Sequence, residues 1–165
     1  MLVIKLILVS LACLFFSFIL KASEKGEYYF NNLQKCEKGI GSACTEIGFM
    51  YDKAIGVAKN DYKAVEFYSR GCDLDDQRGC VNLGVMWEKE QANLKRDEKK
   101  IMELFTTACE EDYGYGCYFL GLSYEEGQLI KKDTSKAYFY YNKACSLEVS
   151  DACTRVQEFD VENIK

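Results

Sequence analysis

Apolar residues recur along the chain at helical spacing in short runs, and polar stretches rich in turn formers separate them. Residues 24–36 carry Tyr29, Phe30 and Leu33 on one face. Three later segments, 63–72, 100–109 and 136–145, repeat this pattern up to a closing cysteine. These are the predicted B helices. Asp61, Asp97 and Asp133 stand just ahead of the later three, where a carboxylate can accept from the free backbone N–H groups of the first turn. A second set of amphipathic runs covers about 42–53, 79–90, 116–126 and 151–161, each following another cysteine. These are the predicted A helices, and the order is B-A-B-A-B-A-B-A.

The two sets form one unit written several times. Its clearest copies start at Cys36, Cys72 and Cys109, and a degraded copy starts at Cys145, a period of 36 or 37 residues. A fixed period of this size is the signature of a solenoid. Within each copy, the third residue after the second cysteine is aliphatic: Ile47, Leu83, Leu120 and Val156. The fourth is Gly48, Gly84 or Gly121. Glycine inside a helix costs about 1 kcal/mol against alanine, so its recurrence predicts a neighbour too close for a side chain. The seventh is Tyr51, Trp87 or Tyr124, a ring suited to filling space beside that contact. The last copy has Gln157 and Asp160 in place of the glycine and the ring, as a terminal unit with a polar outer face would. The second copy departs in its loop, with Gln91-Ala92-Asn93 where the others carry Gly56 or Gly127.

Composition narrows the chemistry. The 165 residues are 48% hydrophobic and 14% aromatic, enough to bury a core, and there is no proline. There is also no histidine, which removes the commonest general base and metal ligand. The net charge is −5, and the two lysines of residues 1–22 are among the positive charges. Such a surface is a poor partner for nucleic acid or anionic lipid.

Lys5 is followed by the apolar run Leu6–Leu20, and Lys21-Ala22-Ser23 then opens the polar chain. Residues 1–22 read as a secretory signal peptide cleaved after Ala22, leaving 23–165 as one repeat domain of three to four helix pairs. The alternative is an uncleaved anchor, since residues 2–20 approach the roughly 20 residues that span a bilayer. A lipid-attachment site at Cys13 is disfavoured, because the apolar run continues past it and Ser10 stands where such sites usually carry Leu.

Eight of the nine cysteines form four pairs of identical spacing: Cys36 and Cys44, Cys72 and Cys80, Cys109 and Cys117, Cys145 and Cys153. On one continuous helix each pair would lie about 12 Å apart, whereas a disulfide needs Cα atoms within about 4.4–6.8 Å. If bridged, the chain must reverse between them, and the intervening stretches are polar and mostly contain glycine. Each bridge would tie the end of a B helix to the start of the next A helix, contributing roughly 2–3 kcal/mol by closing a short loop. Eight cysteines permit on the order of a hundred pairings; the local one is favoured because every copy repeats it. A zinc site is disfavoured without Cys-x-x-Cys spacing or histidine, and four equivalent pairs read as structural rather than redox-catalytic. No cofactor is expected.

The combination of Cys, seven residues, Cys, the Ile/Leu-Gly pair, the ring, a loop and then Asp, Lys-Ala, an aromatic and Cys resembles the Sel1-like repeat. The cysteine spacing is similar to that of the secreted members, the Helicobacter cysteine-rich protein family. The resemblance covers residues 27–156. It implies an all-α fold of α/α-hairpin repeats, related to tetratricopeptide repeats and stacked into a right-handed superhelix with a disulfide clip per pair. It implies export to a bacterial periplasm or medium, and contact with host proteins. Members often carry a β-lactamase or penicillin-binding label. The residues give that label no visible chemistry, since Ser-x-x-Lys, Lys-Thr-Gly and Gly-x-Ser-x-Gly are all absent. Ser42, Ser69, Ser123 and Ser150 have no base at a recognisable spacing.

The leading functional reading is a monomeric scaffold that grips a protein or peptide on an extended concave face. The alternative is a penicillin-binding protein or weak β-lactamase, acting on a β-lactam or a cell-wall fragment, and a purely structural envelope role is a third. If the A helices line the concave face, the first copy offers Thr45, Glu46, Phe49, Asp52 and Lys53. The second offers Val81, Asn82, Val85, Glu88 and Lys89, and the third Tyr118, Phe119, Leu122, Glu125 and Glu126. As a set they mix acidic and apolar character, suited to a peptide with basic and aliphatic groups. The repeat-clip reading makes a direct prediction for the oxidised protein. Non-reducing peptide mapping should return Cys36–Cys44, Cys72–Cys80, Cys109–Cys117 and Cys145–Cys153, and a bridge between copies would refute it.

Overall fold

The computed structural model describes residues 25–163, so the signal segment expected over 1–22 lies outside the described residues. Among the described residues all regular structure is helical. α1 covers 25–37, α2 Gly41–Lys53, α3 Asp61–Asp73, α4 Gln77–Glu88, α5 Glu98–Glu110, α6 Gly114–Glu126, α7 Thr134–Ser146 and α8 Ser150–Asn163. A single 3-10 turn, Gln91–Asn93, follows α4. The odd-numbered helices are the B helices and the even-numbered ones the A helices. Helices adjacent in sequence pack together from α2 to α8, and α2 also touches α4 as α4 touches α6. The result is the α/α-hairpin solenoid that the period implied. None of the described helices is long and apolar enough to cross a membrane.

Each B-to-A turn is built the same way. The last turn of the B helix closes with a bond from the third loop residue back to the carbonyl five residues earlier: Ile40 to Lys35, Asp76 to Gly71, Tyr113 to Ala108 and Val149 to Ala144, at 2.9–3.1 Å. That wrap needs a left-handed residue, supplied by Gly39 in the first copy and by Asp75, Asp112 and Glu148 in the others. The reversal brings each cysteine pair to a Cα separation of 4.5–4.7 Å, and all four pairs are bridged.

The A-to-B connections end on a side-chain cap. Asn60, Asp97 and Asp133 accept from the backbone N–H of Lys63, Lys100 and Lys136 at 3.0–3.1 Å. This corrects one assignment: Asn60 caps α3, and Asp61 is its first helical residue. Counted back from the closing cysteine, Asn60 holds the register of Asp97 and Asp133, so the cap follows the repeat frame and not the residue type. A cap of this kind is worth about 1 kcal/mol. The same three lysines lay their ammonium groups over Tyr51, Trp87 and Tyr124 of the preceding A helix, at 4.9, 4.2 and 5.1 Å from the ring centroids. One residue type thus receives the helix cap and clamps the helix pair.

Beneath the clamp lies a close helix contact. An ideal Cβ on Gly48 would meet the Tyr68 ring at 2.6 Å, one on Gly84 the Phe105 ring at 2.6 Å, and one on Gly121 the Tyr141 ring at 2.7 Å. The neighbour that excludes a side chain is therefore an aromatic ring of the next B helix, four residues before its cysteine. All three rings are buried. Tyr51 stacks on Phe67 at 6.0 Å and Tyr124 on Tyr140 at 5.6 Å, completing the aromatic layer.

Successive units are joined by polar staples as well. Arg70 donates to the carbonyl of Cys36 at 3.0 Å, and Lys143 to that of Cys109 at 2.8 Å. Thr107 holds this register in α5 and is too short to reach. In α1, the face that α3, α5 and α7 turn to the preceding A helix carries polar groups. Asn32 stands where Tyr68, Phe105 and Tyr141 stand in later copies, and Tyr28 where Ala64, Ile101 and Ala137 do. Asn32 donates to the Tyr28 carbonyl at 3.0 Å.

Two expectations follow. Gly84→Ala gains about 1 kcal/mol of helix propensity but overpacks Phe105 at a cost of about 1–3 kcal/mol. Its urea midpoint should fall, and Phe105→Leu in that background should restore part of the loss; an unchanged midpoint would refute the close-contact role. The buried phenols supply the second. Burial and then Tyr51 push Tyr29 up to about 12. Burial first, with Asp52 next, raises Tyr68, and burial followed by the Glu125 bond raises Tyr141. Unfolded phenols ionise near pH 10. Folded values above the unfolded one mean that this stabilisation is complete below about pH 10 and is lost as pH rises through the folded values. Tyrosinate absorbance should show a late fraction that ionises together with the loss of helical circular dichroism.

Candidate binding site

The A helices present one face on which their side chains are not consumed by the core. Between α2 and α4 this face holds a cavity of about 120 Å³, lined by Phe49, Asp52, Lys53, Tyr68, Asn82, Val85, Met86, Lys89 and Gln91. Six residues that the sequence assigned to the binding face meet here: Phe49, Asp52 and Lys53 from α2, and Asn82, Val85 and Lys89 from α4. Phe49, Tyr68, Val85 and Met86 supply the apolar part of its lining, and polar groups supply most of the rest. Asp52 is paired with Lys53 at 2.9 Å. The amide of Asn82 is half-buried, and Gln91 reaches the rim because the Gln91–Asn93 turn folds back beside α4. That turn is held by Asn93 Nδ2, which donates to the Tyr62 hydroxyl at 2.6 Å.

The remaining assigned residues divide. Thr45 and Val81 are buried and unavailable to a ligand. Thr45 is wedged against Gly71 and Gly79, and a Cβ on Gly79 would lie 2.6 Å from its hydroxyl. Tyr118 packs beside Tyr141 at 5.7 Å, and Phe119 stacks on Phe105 at 5.1 Å, so both belong largely to the core. Glu46 pairs with Arg78 of α4 at 3.0 Å. Glu125 pairs with Arg155 of α8 at 2.8 Å and accepts from the Tyr141 hydroxyl at 2.6 Å. These two carboxylates join neighbouring A helices. Glu88 and Glu126 are different: neither makes a salt bridge among the described residues. Glu88 is half-buried, and burial followed by the Glu126 charge raises its carboxyl above the usual range, with Arg96 and Lys89 opposing. Leu122 is partly exposed.

Sequence reasoning missed Tyr68 and Met86 in the cavity wall, Gln91 on its rim, and the partners Arg78 and Arg155. Tyr68 had a signal, since an aromatic recurs four residues before the cysteine in each later B helix. The two ion pairs had none. Arg78 lies two residues before its cysteine and Arg155 two residues after, so no repeat rule relates them. Of the serines considered as nucleophiles, Ser123 is buried and donates to the Phe119 carbonyl at 2.7 Å. A wider hollow of about 690 Å³ lies between α5 and the α6–α7 connection, lined in part by Met102, Thr106, Tyr124, Leu129 and Ile130.

Comparison with known proteins agrees with this architecture. A Sel1 repeat protein from Oxalobacter formigenes has 24% identity and a TM-score of 0.66, over 78% of this chain and 96% of its own. The c5321 protein, a protective antigen present in uropathogenic Escherichia coli strains displaying an SLR fold, has 25% identity and a TM-score of 0.69 over 76% of this chain. This chain spans only 27% of that longer protein. Helicobacter pylori cysteine rich protein B has 26% identity and a TM-score of 0.60, over 81% of this chain and 92% of its own. No curated protein matches the chain in sequence. The Sel1 repeat profile matches residues 41–76, 77–113 and 114–149, which begin at the A helices α2, α4 and α6. With three consecutive matches covering most of its length, the chain belongs to the Sel1 repeat family.

Proposed function

We propose that the protein is an exported repeat scaffold that binds a peptide or protein partner on the concave face lined by its A helices. One observation carries the reading: the cavity between α2 and α4, where Phe49 and Val85 form apolar walls under a rim of Asn82, Gln91, Lys53 and Lys89. Polar groups from two adjacent A helices converge there around two partly exposed apolar side chains. The framework residues of each copy are occupied by packing, whereas the rim residues differ from copy to copy. Export is supported by the four disulfides, which persist in oxidising compartments, and by the apolar segment read as a signal peptide.

The test is partner capture with the oxidised protein as bait. Val85→Asp puts a charge into the cavity without touching an ion pair, and Glu66→Arg changes the exposed outer face of α3. Val85→Asp should lower recovery of specific partners about tenfold or more, equivalent to about 1.4 kcal/mol, while Glu66→Arg leaves it intact. Equal recovery by both variants would remove the A-helix face from the proposal.

A further inference from the structure

The spacing of the A-helix face limits what can lie along it. Phe49, Val85 and Leu122 share one register, five residues after the second cysteine, in α2, α4 and α6. All three are partly exposed. α2 touches α4 and α4 touches α6, and packed helices stand about 8–10 Å apart. At that spacing the face is a ladder of three apolar rungs with a step of about 8–10 Å. A β-strand lying across it would present side chains to one side every 6.6–6.8 Å or so, out of step after one rung. A polyproline II segment presents every third side chain on one edge, and three residues at about 3.1 Å give about 9.3 Å, in step with all three rungs. Two turns of an α-helix rise about 10.8 Å, longer than that step. The cavity between the first two rungs, at about 120 Å³, has room for one small side chain, given that a water occupies about 30 Å³.

The polar groups fit the same ligand. A polyproline II backbone has no internal hydrogen bonds, so its carbonyls need donors. The amides of Asn82 and Gln91 stand at the cavity rim, and neither is engaged elsewhere among the described residues. Near the second and third rungs stand Glu88 and Glu126, whose charges act on each other and have no ion-pair partner. Lys89 and Arg96 offset Glu88 only in part. A cation from the ligand placed between those rungs would relieve the repulsion.

We propose, building on the peptide-binding reading above, that the A-helix face takes a polyproline II segment. It would carry an aliphatic residue at every third position and a basic residue between the second and third of these. The aliphatic side chains meet Phe49, Val85 and Leu122 in turn, and the basic group lies near Glu88 and Glu126.

Fluorescence anisotropy with the full oxidised chain and labelled synthetic peptides tests this. The probe Leu-Pro-Pro-Leu-Pro-Arg-Leu-Pro-Pro has the required period. Its controls are a scrambled order, a form with Glu for Arg, a Val-Thr alternating strand peptide and an amphipathic helical peptide. The period-three probe should bind at least about tenfold tighter than the scrambled one. Leu122→Ala and Leu122→Asp should each weaken it, and Glu88→Gln with Glu126→Gln should abolish the advantage of Arg over Glu. Equal binding of the scrambled peptide overturns the proposal, as does preference for the strand or helical peptide. If those competitors bind and Val85→Asp removes their binding, the period is wrong but the binding face stands. If no peptide binds while partner capture still depends on Val85, the ligand class is wrong and the scaffold reading survives. If neither depends on Val85, both fall.

Discussion

The structure depends on the contact between a glycine of each A helix and an aromatic ring of the next B helix. Gly48 under Tyr68, Gly84 under Phe105 and Gly121 under Tyr141 bring the helix pairs closer than any side chain would allow. The penalty of glycine in a helix is about 1 kcal/mol, and burial of a large ring offsets it, since fully burying a Phe-sized side chain is worth roughly 1.5–3 kcal/mol. Everything else in the repeat is arranged around this contact. The disulfide and the left-handed turn fix one end of the hairpin. The capped lysine over Tyr51, Trp87 or Tyr124 fixes the other.

Because the contact is repeated, each unit relies on its neighbours, and the first and last described helices, α1 and α8, are tied by other contacts. Asn32 and Tyr28 put polar groups on the register of α1 that is apolar in the later B helices. At the far end, Arg155 of α8 ties back to Glu125, which also holds the buried hydroxyl of Tyr141. Exposed ion pairs contribute about 0–1 kcal/mol, but a carboxylate that also satisfies a buried phenol carries a greater penalty for removal.

The proposed binding residues sit where the repeat constraint relaxes. The positions between the framework residues on α2, α4 and α6 are free to differ, and they do. Phe49, Val85 and Leu122 stay apolar in one line, while the residues around them change from Asp52 and Lys53 to Glu88 and Lys89 to Glu125 and Glu126. The irregular Gln91–Asn93 turn contributes a rim residue to the cavity. The second copy's departure from the repeat in this loop thus adds a residue to the candidate site.

Most of the architecture was legible because it is periodic. The four bridged pairs, the helix order, the close approach at Gly48, Gly84 and Gly121 and the solenoid itself all follow from comparing copies. The identity of the neighbour over each glycine was also within reach, through the aromatic four residues before each later cysteine. What the comparison of copies could not supply is whatever differs between them. Asn60 and not Asp61 caps α3, because cap geometry is set by register and both residue types can accept the bond. Glu46 and Glu125 are drawn into ion pairs while Glu88 and Glu126 are not, because pairing depends on which single cation a neighbouring helix happens to present. Thr45 lies inside because the glycines at 71 and 79 let α3 and α4 close over it, and Val81 is buried in the core cluster with Ile101 and Phe105. The sequence by itself determined the repeated unit and its stacking, since these rest on local spacing. Only the tertiary structure decided which charges remain available on the A-helix face, since that rests on contacts between residues some thirty positions apart.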